Sequence, residues 1–219
     1  AKMAYVLDSG GSPGSIVIKS PCQNEIEYRV HGRAAHAGIN PQDGINAIQA
    51  AARALAAMPC GRIDAETTCN FGQIEGGTAR NIVAPFCRIK GEARSLQRDK
   101  LDKLTEELKS IFINQVEELG GQAEVEVTFL YPEIQLDPGE EVVALAVKAA
   151  QSIGLKPQLI STGGGSDASI INGVGIRCAN LGTGMSAVHT CDEYISIKDL
   201  VDNARLVLAI LGEFNQGKH

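Results

Sequence analysis

Between residues 22 and 133 the apolar residues recur in a fixed order of periods, two, 3.6, two, two, 3.6 and two, and few folds can satisfy that order. Residues 24–31 alternate, with Ile26, Tyr28 and Val30 on one face and Glu25, Glu27 and Arg29 on the other, which is the pattern of a half-buried strand. The strand runs into Gly32-Arg-Ala-Ala-His36-Ala-Gly38. Asn40 is then expected to cap a helix with Pro41 at its first position, Asp43 in its first turn, a stripe of Ile45, Ile48, Ala52 and Leu55, and Pro59 as its stop. Two strand-like runs, Thr67–Glu75 and Ile82–Arg94, joined through Gly76-Gly77-Thr-Ala-Arg80-Asn81, predict a hairpin. Leu101, Leu104, Leu108, Ile111 and Leu119 mark one face of a long helix closed by Gly120-Gly121, and Val125, Val127, Phe129 and Tyr131 alternate as a last strand. The sum is a split βαβ (β-α-β-β-α-β) module, a four-stranded antiparallel sheet with two helices on one face.

Asp137-Pro138-Gly139 ends that rhythm. Beyond it a helix over 140–153, a strand near 157–161, a short helix after Asp167, a strand over 175–181 and a helix over 198–214 started by Ser196 and Asp199 alternate as in an α/β layer. Such a sheet needs more strands than this segment supplies. Ala4–Ile18 is expected to join it, which makes the split βαβ module an insertion.

Composition removes several classes of function. The 20 Lys and Arg residues are spread along a chain of net charge −6, which argues against a nucleic-acid partner. No apolar run approaches the roughly 20 residues of a membrane span and no signal-peptide pattern opens the chain, so neither a membrane partner nor secretion is expected, and a cytoplasmic setting is. Six cysteines without a Cys-x-x-Cys pair make neither a zinc finger nor a disulfide framework; most are expected in the core, with Cys191 a partly buried neighbour of His189.

The candidates for chemistry lie in loops at strand ends. Asp8, between Ala4-Tyr-Val-Leu and Ser9-Gly10-Gly11, either bonds its own turn or meets a metal. His189, in Gly182-Thr-Gly-Met-Ser-Ala-Val-His189-Thr-Cys-Asp-Glu193, is either a surface imidazole or a metal ligand displayed at the carboxyl end of a strand. Gly163-Gly164-Gly165-Ser-Asp167 opens a helix, where free N–H groups suit a substrate oxygen; Asp167 has the competing role of cap. His36 and Asn81 sit on small-residue loops, and the guanidinium of Arg94 suits a carboxylate.

Taken together, Val6-Leu-Asp8-Ser-Gly-Gly, Gly32-Arg-Ala-Ala-His36-Ala-Gly, Gly76-Gly-Thr-Ala-Arg-Asn81-Ile-Val, Glu92-Ala-Arg94-Ser, Gly164-Gly-Ser-Asp167-Ala and His189-Thr-Cys-Asp-Glu193 resemble the M20 family of metallopeptidases, on its peptidase T-like branch. The resemblance covers nearly the whole chain. It implies an α/β metallopeptidase catalytic domain interrupted by a lid or dimerisation domain, here parsed as residues 1–20 (end of the N-terminal part of the catalytic domain), 21–135 (lid) and 136–219 (C-terminal part). It implies two divalent cations, zinc or else cobalt or manganese, with Asp8 a ligand of one and His189 of the other. His36 would reach into a partner subunit's site to stabilise an oxyanion, Asn81 and Arg94 would touch the substrate's carbonyl or terminal carboxylate, and Gly164 and Gly165 would line the pocket. A short peptide or N-acyl amino acid is the implied substrate, and a homodimer through the lid the implied assembly. The resemblance puts the family's His-x-Asp motif and its metal-site Glu-Glu pair upstream of residue 1, so the chain is expected to be an inactive piece of the enzyme; the alternative is a self-associating module without catalysis. Arg80 stands where a small or hydroxyl residue is expected.

Overall fold

The computed structural model of the chain describes residues 1–216, and His219, read from the sequence as a frayed end, lies outside them. In chain order the elements are β1 (Met3–Ser9), β2 (Ser15–Ser20), β3 (Cys22–His31), a 3-10 turn (Pro41–Asp43), α1 (Ala47–Ala57), β4 (Gly61–Arg62), β5 (Thr67–Gly76) and β6 (Phe86–Ser95). They continue with α2 (Arg98–Glu117), β7 (Gln122–Tyr131), β8 (Ile134–Gln135), α3 (Glu141–Ser152), β9 (Gln158–Ser161), α4 (Asp167–Gly173), β10 (Arg177–Gly182) and α5 (Ile197–Gln216). Two compact units result, one of residues 22–130 and one assembled from residues 1–21 and 131–219. No helix among the described residues is long and apolar enough to cross a membrane.

The middle unit is a five-stranded sheet in the order β4-β5-β6-β3-β7. β3 and β6 pair antiparallel from Cys22 opposite Ser95 to His31 opposite Phe86, and β5 and β6 form the expected hairpin. The alternation sorts the sheet's faces: Ile26, Tyr28, Val30, Cys87, Ile89 and Ala93 are buried in one core with α1 and α2. At its centre the Tyr28 ring lies 4.7 Å from that of Phe112 and 5.9 Å from that of Phe71, distances typical of tilted and edge-on aromatic packing. On the opposite face Arg29 pairs with Glu27 and Glu126, so the charges stay wet while the apolar residues go in.

Helix α1 differs from its sequence reading. Asn40 caps no α-helix; its side chain donates to Asp43, and Pro41–Asp43 is a single 3-10 turn. The cap is Asn46, whose Oδ1 accepts from the backbone N–H groups of Ile48 and Gln49 at 3.0 and 3.1 Å. The helix buries Ala47, Ala50, Ala51 and Ala54, while Ile48 and Ala52 face outward. Small residues win because α1 packs on both the sheet and α2, where a close approach favours alanine over isoleucine.

In the other unit β1 lies parallel to β10, which pairs antiparallel with β2, and β2 pairs parallel with β9 and antiparallel with β8. The early strands thus complete the sheet of the late ones. Ile16, Ala179 and Leu181 from the sheet pack with Val143, Ala146 and Ala150 of α3 and Leu206 and Ile210 of α5. The start of α5 is a reciprocal cap, with the Asp199 N–H donating to Ser196 Oγ (3.0 Å) and that hydroxyl to the Asp199 carboxylate (2.7 Å). α5 is apolar on its outward side too: Ile197, Val201, Leu208 and Leu211 are more than half exposed.

Candidate functional site

Asp8 stands in a β-bulge. The ladder between β1 and β10 steps from Leu7 opposite Leu181 to Ser9 opposite Gly182, leaving Asp8 as the extra residue. A bulged residue loses its ladder partners, and here the buried side chain of Asn180 replaces both: its Oδ1 accepts the Asp8 N–H at 3.0 Å and its Nδ2 donates to the Asp8 carbonyl at 3.1 Å. With its backbone thus satisfied, the Asp8 carboxylate is exposed and has no protein partner among the described residues.

The His189 loop leaves β10, the strand beside β1, at the same carboxyl end. Thr183 and Gly184 donate to the carbonyls of Ser9 and Gly11 at 2.9 and 2.7 Å, and Asn203 of α5 donates to the Thr183 carbonyl at 2.8 Å. A Cβ on Gly184 would lie 2.8 Å from the Asp199 side chain, so the loop leaves the sheet where no larger residue fits. Further on, Ser186 and Tyr194 pair across it. Ala187 and His189 both take left-handed backbone angles, φ 52° and 66°, a conformation that side chains with a Cβ rarely adopt. Local bonds hold it: Thr190 donates to the Ala187 carbonyl, and Glu193 Oε2 accepts the His189 N–H at 3.0 Å. Strain of this kind collects at sites where a side chain must be aimed. The His189 ring, like the Asp8 carboxylate, is exposed and bonded to nothing among the described residues.

Asp8, near the end of β1, and His189, seven residues beyond the end of β10 in the loop that leaves it, are thus carried by segments that leave neighbouring parallel strands at their carboxyl ends, the place where α/β sheets bind ligands. A carboxylate oxygen and an imidazole nitrogen are suitable donors for a zinc-type cation, but a catalytic site takes about three protein ligands. Among the described residues no group of three or more His, Cys, Asp or Glu side chains is placed to hold a metal. Cys191 is exposed and bonded to no metal-ligand neighbour, rather than partly buried as the sequence suggested.

The glycine loop after β9 divides in two. A Cβ on Gly165 would fall 2.2–2.4 Å from the ring and hydroxyl of Tyr131, so the absence of a side chain there is a packing requirement. Gly164 has open space and donates its N–H to Thr162 Oγ1 at 3.3 Å. Asp167 is the first residue of α4.

In the middle unit His36 and Asn81 come together. His36 bridges to Ile82, and the Ala37 N–H donates to the Asn81 carbonyl at 3.0 Å. The Gly38 N–H donates to His36 Nδ1 at 3.2 Å, so in the neutral ring the proton sits on Nε2, which points a donor outward. Arg94 is elsewhere: it lies at the opposite end of β6 from Phe86, about 26 Å along the strand, and its Nε and Nη2 close on the Glu92 carboxylate at 2.9 Å each. In one copy of the chain Asn81 and Arg94 do not share a subsite. Asn180, Asn203 and Glu193, which fix the backbone around Asp8 and His189, were not singled out from the sequence; an asparagine on an otherwise apolar strand such as β10 was the available signal.

A model of the peptidase dimerisation domain matches residues 21–119. The uncharacterised protein YqjE of Bacillus subtilis is 43% identical over 213 residues, 97% of this chain and 57% of that protein. The crystal structure of an aminopeptidase PepT from Bacillus cereus superposes with a TM-score of 0.88 at 45% identity, covering 97% of this chain and 57% of the other. A tripeptidase from Staphylococcus aureus gives 0.90 at 38% identity, covering 96% and 56%. The chain thus spans a little over half the length of these relatives. With a peptidase dimerisation-domain match in its middle unit and similarity to peptidase T along almost all of its length, the chain is similar to the M20 peptidases of the peptidase T-like branch.

Proposed function

We propose that these residues serve a two-metal exopeptidase or aminoacylase that cleaves amide bonds of short peptides or N-acyl amino acids and works as a homodimer through the middle unit. The observation that carries this reading is the pair of exposed donors without a side-chain partner among the described residues, Asp8 near the end of β1 and His189 in the loop that leaves the adjacent parallel strand β10. Their chemistry suits zinc, and cobalt or manganese would accept the same donors. Bound there, such cations supply Lewis acidity and lower the pKa of water. That one relative is an aminopeptidase and another a tripeptidase supports a short-peptide substrate. Six unbridged cysteines agree with a reducing, cytoplasmic setting.

The chain's own residues then have separable tasks. His36, its Nδ1 occupied by the Gly38 N–H, offers Nε2–H to a substrate oxygen as negative charge develops, in the site of a second copy. Asn81 and Arg94 contact the substrate's carbonyl or carboxylate, and two copies are needed to bring both to one molecule. Gly164 and Gly165 line the pocket, Asp8 and His189 hold metal, and the 219 residues by themselves are inactive for want of a third ligand and a general base.

In the full-length, zinc-loaded enzyme His36→Ala should lower kcat on a tripeptide by about 10²–10³ while the bound metal, measured by atomic emission, stays at the wild-type amount. Wild-type kcat in that variant would remove His36 from the chemistry. Light scattering on the 219-residue chain tests the assembly: a monomer at tens of micromolar contradicts dimerisation through the middle unit.

A further inference from the structure

The loop that carries His189 is closed at its base, where Ser186 and Tyr194 exchange both backbone bonds at 3.0 and 3.1 Å. Between them Ala187 and His189 take φ 52° and 66°. A residue with a Cβ leaves that left-handed well for negative φ unless its surroundings hold it there. For Ala187 the holder is Thr190, whose hydroxyl and N–H both donate to the Ala187 carbonyl, at 2.7 and 3.2 Å. For His189 it is Glu193: Oε2 accepts the His189 N–H at 3.0 Å, and among the described residues His189 makes no other hydrogen bond.

No cation competes for that carboxylate. Glu193 is exposed, forms no ion pair among the described residues, and borders a hollow lined by no Lys or Arg. The neighbouring Asp192 offers a comparison within the same loop. Its N–H donates to Thr190 Oγ1 at 3.2 Å, while its carboxylate takes no donor among the described residues. Two adjacent exposed carboxylates are thus told apart by the bond to His189.

We propose that Glu193 is a positioning residue that sets the direction of the His189 imidazole as a metal ligand. This rests on the peptidase reading above, in which His189 holds one of two cations. Return of the His189 φ to negative values would turn its Cα–Cβ bond, and a ligand must stay within about 0.5 Å of its productive place. The bond lies on the surface, so its loss moves the ligand and spares the fold. What it requires at position 193 is an acceptor oxygen, not a charge.

The test uses the full-length protein, stripped of metal, as wild type, Glu193→Ala, Glu193→Gln and Asp192→Ala, with two readouts. Zinc is titrated against a chromophoric chelator, and exchange of the His189 amide is followed by NMR in the metal-free forms. Wild type should take up two equivalents. Glu193→Ala should keep one at the wild-type affinity and bind the other about 10–100-fold more weakly, with its His189 amide exchanging faster and its urea midpoint unchanged. Glu193→Gln, which retains an acceptor, and Asp192→Ala, which removes a charge but no bond, should match wild type in both readouts. Wild-type zinc affinity in Glu193→Ala overturns the role of Glu193 and leaves the metal reading standing. So does a loss in Glu193→Gln or Asp192→Ala equal to that in Glu193→Ala, since charge and not position would then be at work. A wild type that takes up no zinc overturns the metal reading and the role of Glu193 together.

Discussion

At the scale of single residues, the site's precision depends on side chains with no chemistry of their own. Asn180 supplies both backbone bonds that the bulge takes from Asp8, so Asn180→Ala should cost about 1–3 kcal/mol in urea denaturation. Asn180→Ser, which is also too short to reach both groups, should fare no better, and a neutral result for both would show that the bulge holds itself. Gly165 makes the opposite demand. Gly165→Ala drives a methyl into the Tyr131 ring and should destabilise by about 1–3 kcal/mol, most of which a second change, Tyr131→Ala, should make irrelevant: the two costs should be clearly less than additive. Thiols report the same packing. Cys60 and Cys191 are exposed and Cys22, Cys69, Cys87 and Cys178 are buried, so a thiol reagent should modify two groups quickly in the native chain and all six in denaturant.

At the scale of elements, α5 sets a contrast between residues two apart. Leu206 is 1% exposed in the core and Leu208 is 69% exposed, so Leu206→Ala should cost about 2–5 kcal/mol and Leu208→Ala less than about 0.5. Similar losses at the two positions would mean that the helix is rotated. How far the elements are legible in the sequence follows from how each is specified. β3, β6 and α2 carry strict alternation or a long leucine stripe, and one face of each is the core, so period alone identifies them. α1 is harder to read: its buried stripe is alanine, which carries little hydrophobic signal, and Asn40-Pro41 imitates a helix start that the chain spends on one 3-10 turn. The hairpin's second strand starts at Phe86 rather than Ile82 because Pro85 has no N–H to give a ladder, Ile82 and Val83 pair instead with the His36 loop, and the Ala84 carbonyl accepts from Ala47 at the start of α1.

At the scale of the molecule, sequence could place Asp8 and His189 at strand ends, since Gly and Ser follow one and a glycine-rich loop carries the other. It could not show that the strands are neighbours and parallel, or that Arg94 is a strand's length from Asn81, because pairing is a property of the sheet and not of either segment. The buried groups that hold the two units together internally also set their limit in alkali. Burial pushes the Cys69 thiol from about 9 up to about 12 and the Cys178 thiol up to about 11, and raises Tyr5 and Tyr28 further still. Cys69 and Tyr28 lie in the middle unit, Cys178 and Tyr5 in the other, so neither unit escapes. The sign is fixed by proton counting: between about pH 9 and pH 11 the unfolded chain has released these protons and the folded chain has not, so unfolding releases protons and rising pH favours it. The stability these groups contribute is complete below about pH 9 and falls above it, by about 1.4 kcal/mol per pH unit for each thiol. The urea midpoint should therefore be flat from pH 7 to 8.5 and drop steeply by pH 10.5. Replacing both thiols, Cys69→Ala with Cys178→Ala, should lower the plateau but make the alkaline fall shallower. An unchanged slope in that double variant would assign the alkaline loss to other groups.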